Sequence, residues 1–444
     1  MDNPSRRPAY DTPETVFTHA IRETRPGSRT FRAHRAGRLV IRALANYLSS
    51  HGPRPLSARR LDRLHREVAA VPDGRLRRAL TKIVEAMSGI QTVRQVVNVT
   101  SNYGEVLHRI GRFDLGAAVH NFVLQRAPEH DGFDFGRCHL RLGYCLRELG
   151  LVQAAEQQFE FGHAWALAHR DARAMLHLKM VRANLARKCG RLDEATTWLD
   201  EALASATVLA DPEFIARASQ ERGILAHETL DWIAALGYYE RTLDAVAAWA
   251  VTDARRAMET RHRVMNDIGV ALRHLGLYDD ARQVWIAVRL TATENFTRWS
   301  AAINLMGLAA IEGREKAFFH HDYILKRAPL AAHLRVTYLE ERADGLVELG
   351  LAKEARATYR RLALLADKSG RVPSARYAFE ALSGTVVRIR AIRLSDPPPE
   401  IARFVTEVRR LSDFSALIAE AHERPPRPGD DPPGKGLRRG RRPQ

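Results

Sequence analysis

Few side chains in this sequence are spaced for chemistry, and none of those few completes a site. The densest histidine cluster is His320 and His321 beside Asp322. Neighbours on a helix project about 100° apart, so the two imidazoles do not easily share one ion. No two histidines flank a glutamate at the spacing of a zinc hydrolase helix, and no paired CxxC occurs. Cys138 and Cys145 stand seven apart, on one helical face, where they are expected to be small core fillers. Residues 429–436 read GDDPPGKG, one residue away from a phosphate-binding loop. That loop needs a strand before it, a helix after it and a Ser or Thr after the lysine, whereas here prolines fill it and Gly436 follows Lys435. No G-x-S-x-G elbow appears. The chain is expected to be no enzyme and to carry no cofactor or metal.

The elements that would position any site must come from a long, soluble chain. At 444 residues, it is too long for a single ordinary core and needs several domains or a repeat architecture. Apolar residues make up 45% and charged residues 27%, the balance of a folded protein rather than a disordered one. Three cysteines, Cys138, Cys145 and Cys189, are too few and odd in number for a disulfide framework, which points to a reducing, cytoplasmic setting. The polar, basic start MDNPSRRPAY has no apolar stretch behind it, and nowhere do about eighteen apolar residues run together. No membrane partner is expected. Charge is uneven: residues 1–100 hold 19 Lys/Arg against 8 Asp/Glu, and residues 421–444 hold 7 against 3, around a nearly neutral body. Basic ends suit nucleic acid or an acidic partner. The bland alternative is composition, since 61 of the 69 basic residues are Arg, as in a GC-rich genome.

One pattern repeats. A small residue recurs as Gly104, Gly143, Ala183, Gly223, Gly269, Gly307 and Ala343, at spacings of 36 to 46 residues. Seven residues later, a second glycine follows in five units: Gly111, Gly150, Gly190, Gly276 and Gly350. Five beyond that is another small residue, and four further on stands Phe159, Leu199, Trp285 or Tyr359, with His120 the exception. Glycine inside a helix costs about 1 kcal/mol relative to alanine, so a recurring one implies close helix approach. The second glycine falls where a helix must stop in the left-handed conformation. Leu230 takes its place in one unit, and the 305–319 unit is a residue short.

These residues resemble the tetratricopeptide repeat family over roughly residues 95–365. The units here are longer than the family's, which is about 34 residues. The resemblance implies an all-α, right-handed α-solenoid of stacked antiparallel helix pairs, with seven pairs between about 95 and 365. It also implies a concave face formed by the first helix of each pair. Mapped onto this chain, that face holds Arg137, Arg141, Tyr144 and Arg147, then Asn184, Arg187 and Lys188, then Arg217 and Gln220, then Arg263, Asn266 and Arg273. Asn98, Ser101, Glu105 and Arg109 begin it, and Glu340, Glu341, Asp344 and Glu348 close it with acid. Arg147, Arg187 and Arg273 share one phase, and reversing them to Glu is expected to weaken binding while leaving the fold intact.

The flanks differ in kind. Residues 1–30, with four prolines, read as a loose segment. Residues 31–94 read as a basic helical region with helices near 37–50, 57–70 and 75–88, and the β-branched run at 92–100 as the first repeat helix. Residues 366–422 are expected to supply closing helices, which a solenoid needs over its last apolar face. Residues 423–444 read as a disordered basic Pro/Gly/Arg tail. The expected function is a non-catalytic scaffold or adaptor holding an acidic peptide or partner segment in the groove. The alternative is a ligand- or peptide-gated bacterial regulator, whose sensor such long units resemble, with nucleic acid contacted by the basic N-terminal region and tail.

Overall fold

The computed structural model describes residues 12–48, 56–88, 92–126, 133–368, 372–385 and 398–412. Among these residues, there are twenty α-helices and no strand. Four helices come first: α1 (Pro13–Arg22), α2 (Arg29–Tyr47), α3 (Ala58–Ala69) and α4 (Gly74–Ser88). The repeat rhythm then builds seven antiparallel pairs. They are α5 (Val93–Arg109) with α6 (Phe113–Arg126), α7 (Phe135–Glu148) with α8 (Val152–Ala168), and α9 (Ala172–Lys188) with α10 (Leu192–Val208). Next come α11 (Pro212–Glu228) with α12 (Trp232–Trp249), α13 (Ala254–His274) with α14 (Tyr278–Thr291), α15 (Asn295–Ile311) with α16 (Glu315–Arg327), and α17 (Ala332–Glu348) with α18 (Ala352–Lys368). Two helices follow, α19 (Val372–Ser383) and α20 (Pro399–Leu411). The described residues form an all-α solenoid of stacked helix pairs, with the expected seven pairs among them.

The recurring small residue sits where the two helices of a pair cross. A Cβ added at Gly143 would collide with the Phe159 ring, one at Gly223 with Tyr239, and one at Gly269 with Trp285. Each ring comes from the second helix, sixteen residues on, and all three are buried. The ring occupies the volume that the missing side chain vacates. His120 does the same at Gly104. The turn glycines adopt φ between 67° and 79°, and in the short unit the glycine at that turn is Gly313. Four of the first helices begin on aspartates that accept a backbone N–H three residues on: Asp134, Asp171, Asp211 and Asp253.

The sixth pair departs from this plan. At the ring position stands Tyr323, which is exposed, while Phe318 of α16 packs at Gly345 of α17. The space beside Gly307 is taken by Glu341 and Arg273.

The N-terminal segment is not loose over its described part. Thr12 caps α1, Pro13 occupies its first turn, and Phe17 is fully buried. Proline at that position favours a helix start because its missing N–H has no partner to lose. Phe17 stacks on Tyr103 of α5 with ring centroids 6.5 Å apart, and Gly37 of α2 leaves room for both rings. One apolar cluster runs from Phe17 through α2–α6 to Cys138, so the first helices continue the solenoid. At the other end, α19 packs on α17 and α18. The second helix expected to close the stack, α20, instead lies back on α12 and α14. The GDDPPGKG stretch and the basic 423–444 segment lie outside the described residues, as do residues 1–11 and 413–422.

Leu230 holds the turn conformation of its glycine counterparts, at φ 65°, and is 47% exposed. A β-carbon in the left-handed region costs about 1–2 kcal/mol, partly offset by the entropy that glycine adds to the unfolded chain. Leu230→Gly is therefore expected to raise stability by about 1 kcal/mol in urea unfolding; a loss would show that the Leu230 side chain packs.

Candidate functional site

The first helices carry a ladder of polar side chains from unit to unit. Arg141 on α7 reaches back to α5, donating to Ser101 Oγ at 3.0 Å and pairing with Glu105. Arg147 donates to Asn184 Oδ1 on α9 at 2.8 Å, and Asn184 Nδ2 donates to Glu221 Oε2 on α11 at 3.1 Å. Lys188 Nζ lies 2.9 Å from Glu148, and Arg187 pairs with Glu228 and lies 3.8 Å from Glu221. Gln220 Nε2 donates to Asp267 Oδ2 on α13 at 2.8 Å, and Asn304 Nδ2 on α15 donates to Asn266 Oδ1 at 3.1 Å. Arg263 lies 3.4 Å from Glu294. Arg273 Nη1 meets Glu341 on α17 at 3.2 Å, passing over α15 at Gly307, where no side chain stands in the way.

Burial tunes this ladder. The side chains of Arg141, Arg147, Arg187 and Arg273 are only 12–14% exposed. Desolvation would raise the Glu148 carboxyl, but Arg147 and Lys188 overcome it and hold it at about 2. Arg217 Nη2 donates to His177 Nε2 at 3.2 Å, and the Tyr144 hydroxyl lies 2.9 Å from the same nitrogen. Desolvation, reinforced by Arg217 and Arg137, pushes His177 down to about 3, so it is neutral at pH 7. Asp267 goes the other way: desolvation, aided by Glu221, lifts it to about 6 against the hydrogen bonds from Gln220 and Asn266.

The sequence-derived groove residues thus meet one another. Of the twelve positions from Arg137 to Arg273, eleven have their side chains engaged with a neighbouring unit or the segment beside it. The exception is Arg137, which is exposed and without a side-chain partner among the described residues. Reversing Arg147, Arg187 and Arg273 would set acid beside Glu148 on the same helix for Arg147, beside Glu221 and Glu228 of the next unit for Arg187 and beside Glu341 two units on for Arg273, so the expectation of an unharmed fold gives way to one of a cost in stability.

A large open space lies elsewhere. A cleft of about 2300 Å³ separates α4 and α5 from a wall made by α12, α13, α14 and α20. None of the twelve positions lines it. On the first wall, Arg75, Arg78 and Lys82 are exposed, with Val99, Val106 and Ile110 beside them. These three cations have no ion-pair partner among the described residues. The opposite wall offers Asp244, Met258, Phe296 and Phe404. Only the excess of positive charge in residues 1–100 signalled this surface; which face of α4 meets the cleft depends on how far the stack turns.

Asp322, the acid beside the histidine pair, is already engaged. Asp322 is buried as a hub for Arg342 Nε at 3.0 Å, Lys326 Nζ at 2.6 Å and the Tyr338 hydroxyl at 2.5 Å. Among the described residues, no group of three His, Cys, Asp or Glu side chains is placed to hold a metal ion. None of the described helices is long and apolar enough to cross a membrane.

No family model matches the chain, and no curated protein sequence matches it. Solved structures similar to it include a Rap protein complexed with competence and sporulation factor, at 12% identity and TM-score 0.42 over 85% of this chain and 100% of that one. Another is the Rap conjugation gene regulator of the plasmid pLS20 in complex with the Phr* peptide, at 12% identity and TM-score 0.44 over 82% and 99%. A third is a signal transduction ATPase with a tetratricopeptide repeat sensor from Pyrococcus horikoshii, at 10% identity and TM-score 0.39 over 92% of this chain and 62% of that one.

Two outcomes follow from the ladder. Arg273→Glu or Arg187→Glu is expected to cost about 2–4 kcal/mol, because it sets like charges together in a poorly solvated space; unfolding with unchanged midpoint would show the pairs to be dispensable. Folded Asp267 holds its proton up to about pH 6, against about 3.9 when unfolded. The folded state therefore binds more protons between these values, and this group's contribution to stability falls as pH rises through them. Asp267→Asn is expected to gain about 1–2 kcal/mol at pH 7 and nothing at pH 4, measured as the difference between variant and parent urea midpoints.

Proposed function

We propose that this protein is a non-catalytic, cytoplasmic binding solenoid that holds an acidic peptide or partner segment in the cleft between the α4–α5 and α12–α14 walls. The observation that carries this reading is the cleft itself. Small-molecule sites span about 300–1,000 Å³, and about 2300 Å³ is room for a length of chain. Its first wall pairs three uncompensated cations with a row of apolar side chains. Arginine's planar fork suits carboxylates, and the apolar residues between would take alternate side chains of the bound segment. The paired ladder of the first helices then sets the shape of the stack, leaving recognition to the cleft.

The alternative, a ligand-gated regulator with a DNA-reading N-terminal region, has weaker support. Helices α2–α4 share their apolar core with α5–α7, and the cations of α4 face the cleft. Selection of displayed random peptides on the immobilised chain tests the choice. Acidic, apolar-containing sequences are expected to be enriched. Arg75→Glu/Arg78→Glu/Lys82→Glu is expected to abolish that enrichment with thermal unfolding unchanged, since all three are exposed. Enrichment that survives the triple reversal would move the site off this wall, and duplex DNA bound with a steep salt dependence would favour the regulator.

A further inference from the structure

Helix α20 does not sit where a closing helix belongs. The last pair, α17 and α18, is covered by α19, whereas α20 packs on α12 and α14 in the middle of the stack. It brings Ile401, Phe404, Val405 and Val408, all buried, at the i, i+3, i+4, i+7 spacing of a single helical stripe. They join the cluster that holds Leu236 and Tyr239 of α12 and Trp285 and Val288 of α14. One residue past the stripe, Arg409 forks onto Asp280 in the first turn of α14, with Nε to Oδ1 at 2.6 Å and Nη2 to Oδ2 at 3.0 Å. Asp280 is nearly buried, and among the described residues Arg409 is its only ion-pair partner.

The stack does not require a helix at such a place. One repeat further on, the matching groove between α14 and α16 is open, about 360 Å³ in volume, with Leu305 and Leu308 of α15 on its floor. That groove is rimmed by Arg282, Arg289 and Arg314 around Glu312, which pairs with Arg282 and Arg314, so Arg289 rather than a lone carboxylate marks its edge. The α14/α16 groove is thus a second seat of the same kind left empty, and the side chains at a groove's edge set which charge a bound helix must carry.

We propose that the α12/α14 groove is a docking site for an amphipathic helix of a partner protein, with an arginine one residue after an i, i+3, i+4, i+7 apolar stripe, and that α20 occupies it in cis until such a helix displaces it. The bound α20 is itself the specification of the partner: the stripe supplies apolar burial, and the arginine answers a carboxylate that is otherwise unmatched. A tethered helix competes at high effective concentration, so the partner gains access only when it matches both features or when the tether is weakened. This proposal stands apart from the acidic-peptide reading of the cleft and needs no ligand there.

The test uses the full chain and a fluorescent synthetic peptide of residues 398–412. The peptide is expected to bind the Phe404→Ala/Arg409→Glu chain at least ten-fold more tightly than the parent chain, whose groove is filled. Adding Asp280→Arg to that chain should remove the gain for the natural peptide and restore it for a peptide carrying Arg409→Glu. Equal affinity for the parent and weakened chains, or indifference to Asp280→Arg, would overturn the proposal. So would conversion of the weakened chain to a dimer by light scattering, which would assign the groove to a second copy. Hydrogen exchange on the parent chain guards against misfolded variants: α20 amides are expected to exchange at least ten-fold faster than those of α12 and α14, and equal protection would make α20 an integral part of the core.

Discussion

The structure rests on one steric exchange, repeated along the chain. In every repeat pair but the sixth, a residue without a side chain, or with only a methyl, lies at the crossing, and an aromatic or bulky residue sixteen positions later fills the vacated space. Gly143 with Phe159, Gly223 with Tyr239 and Gly269 with Trp285 are its clearest cases. The ring is buried against backbone on one side and against its own helix on the other, so it fixes both the distance and the rotation of the pair. An alanine at such a glycine would need the ring to move, and the core is too well packed to let it move cheaply.

Once the pairs are set, neighbouring first helices stand close enough for side chains to bridge them. The ladder from Arg141–Glu105 to Arg273–Glu341 is the result. Its links join residues mostly one repeat apart, such as Arg147 with Asn184 and Asn184 with Glu221. Their worth is less in net stability, since desolvation offsets much of the attraction, than in fixing how each unit meets the next. Asp267 shows the cost of crowding acids into that space: burial, aided by Glu221, lifts its carboxyl to about 6 despite the hydrogen bonds from Gln220 and Asn266.

The sixth pair shows how one lost contact reshapes the stack. With Tyr323 turned outward, Gly307 is left beside an open space that Arg273 and Glu341 cross from helices two units apart. The second helix α16 makes little contact with α17, while α15 and α17 pack directly. A salt bridge stands there where the neighbouring pairs place a ring. The same latitude on the outer surface leaves the grooves between second helices, one filled by α20 and the next open.

The sequence alone determined the helix pairs, because each depends on contacts between residues about sixteen apart whose sizes are visible in order: small, turn glycine, small, large. Even Leu230 was legible as a misfit, and it occupies the left-handed turn expected of a glycine. The phase of the groove residues was equally legible, since Arg147, Arg187 and Arg273 do fall on the first helices. What only the tertiary structure decided was whom these side chains face. A position's phase tells which side of a helix it occupies, but the partner is set by the rotation between units, a small angle that accumulates along the stack. That accumulated turn brings the cations of α4 opposite Asp244 of α12 and places the guanidinium groups of the first helices against carboxylates of their own chain. The return of α20 to Asp280, 129 residues back, was invisible for the same reason: its stripe advertised burial, and nothing local to it named the surface it would cover.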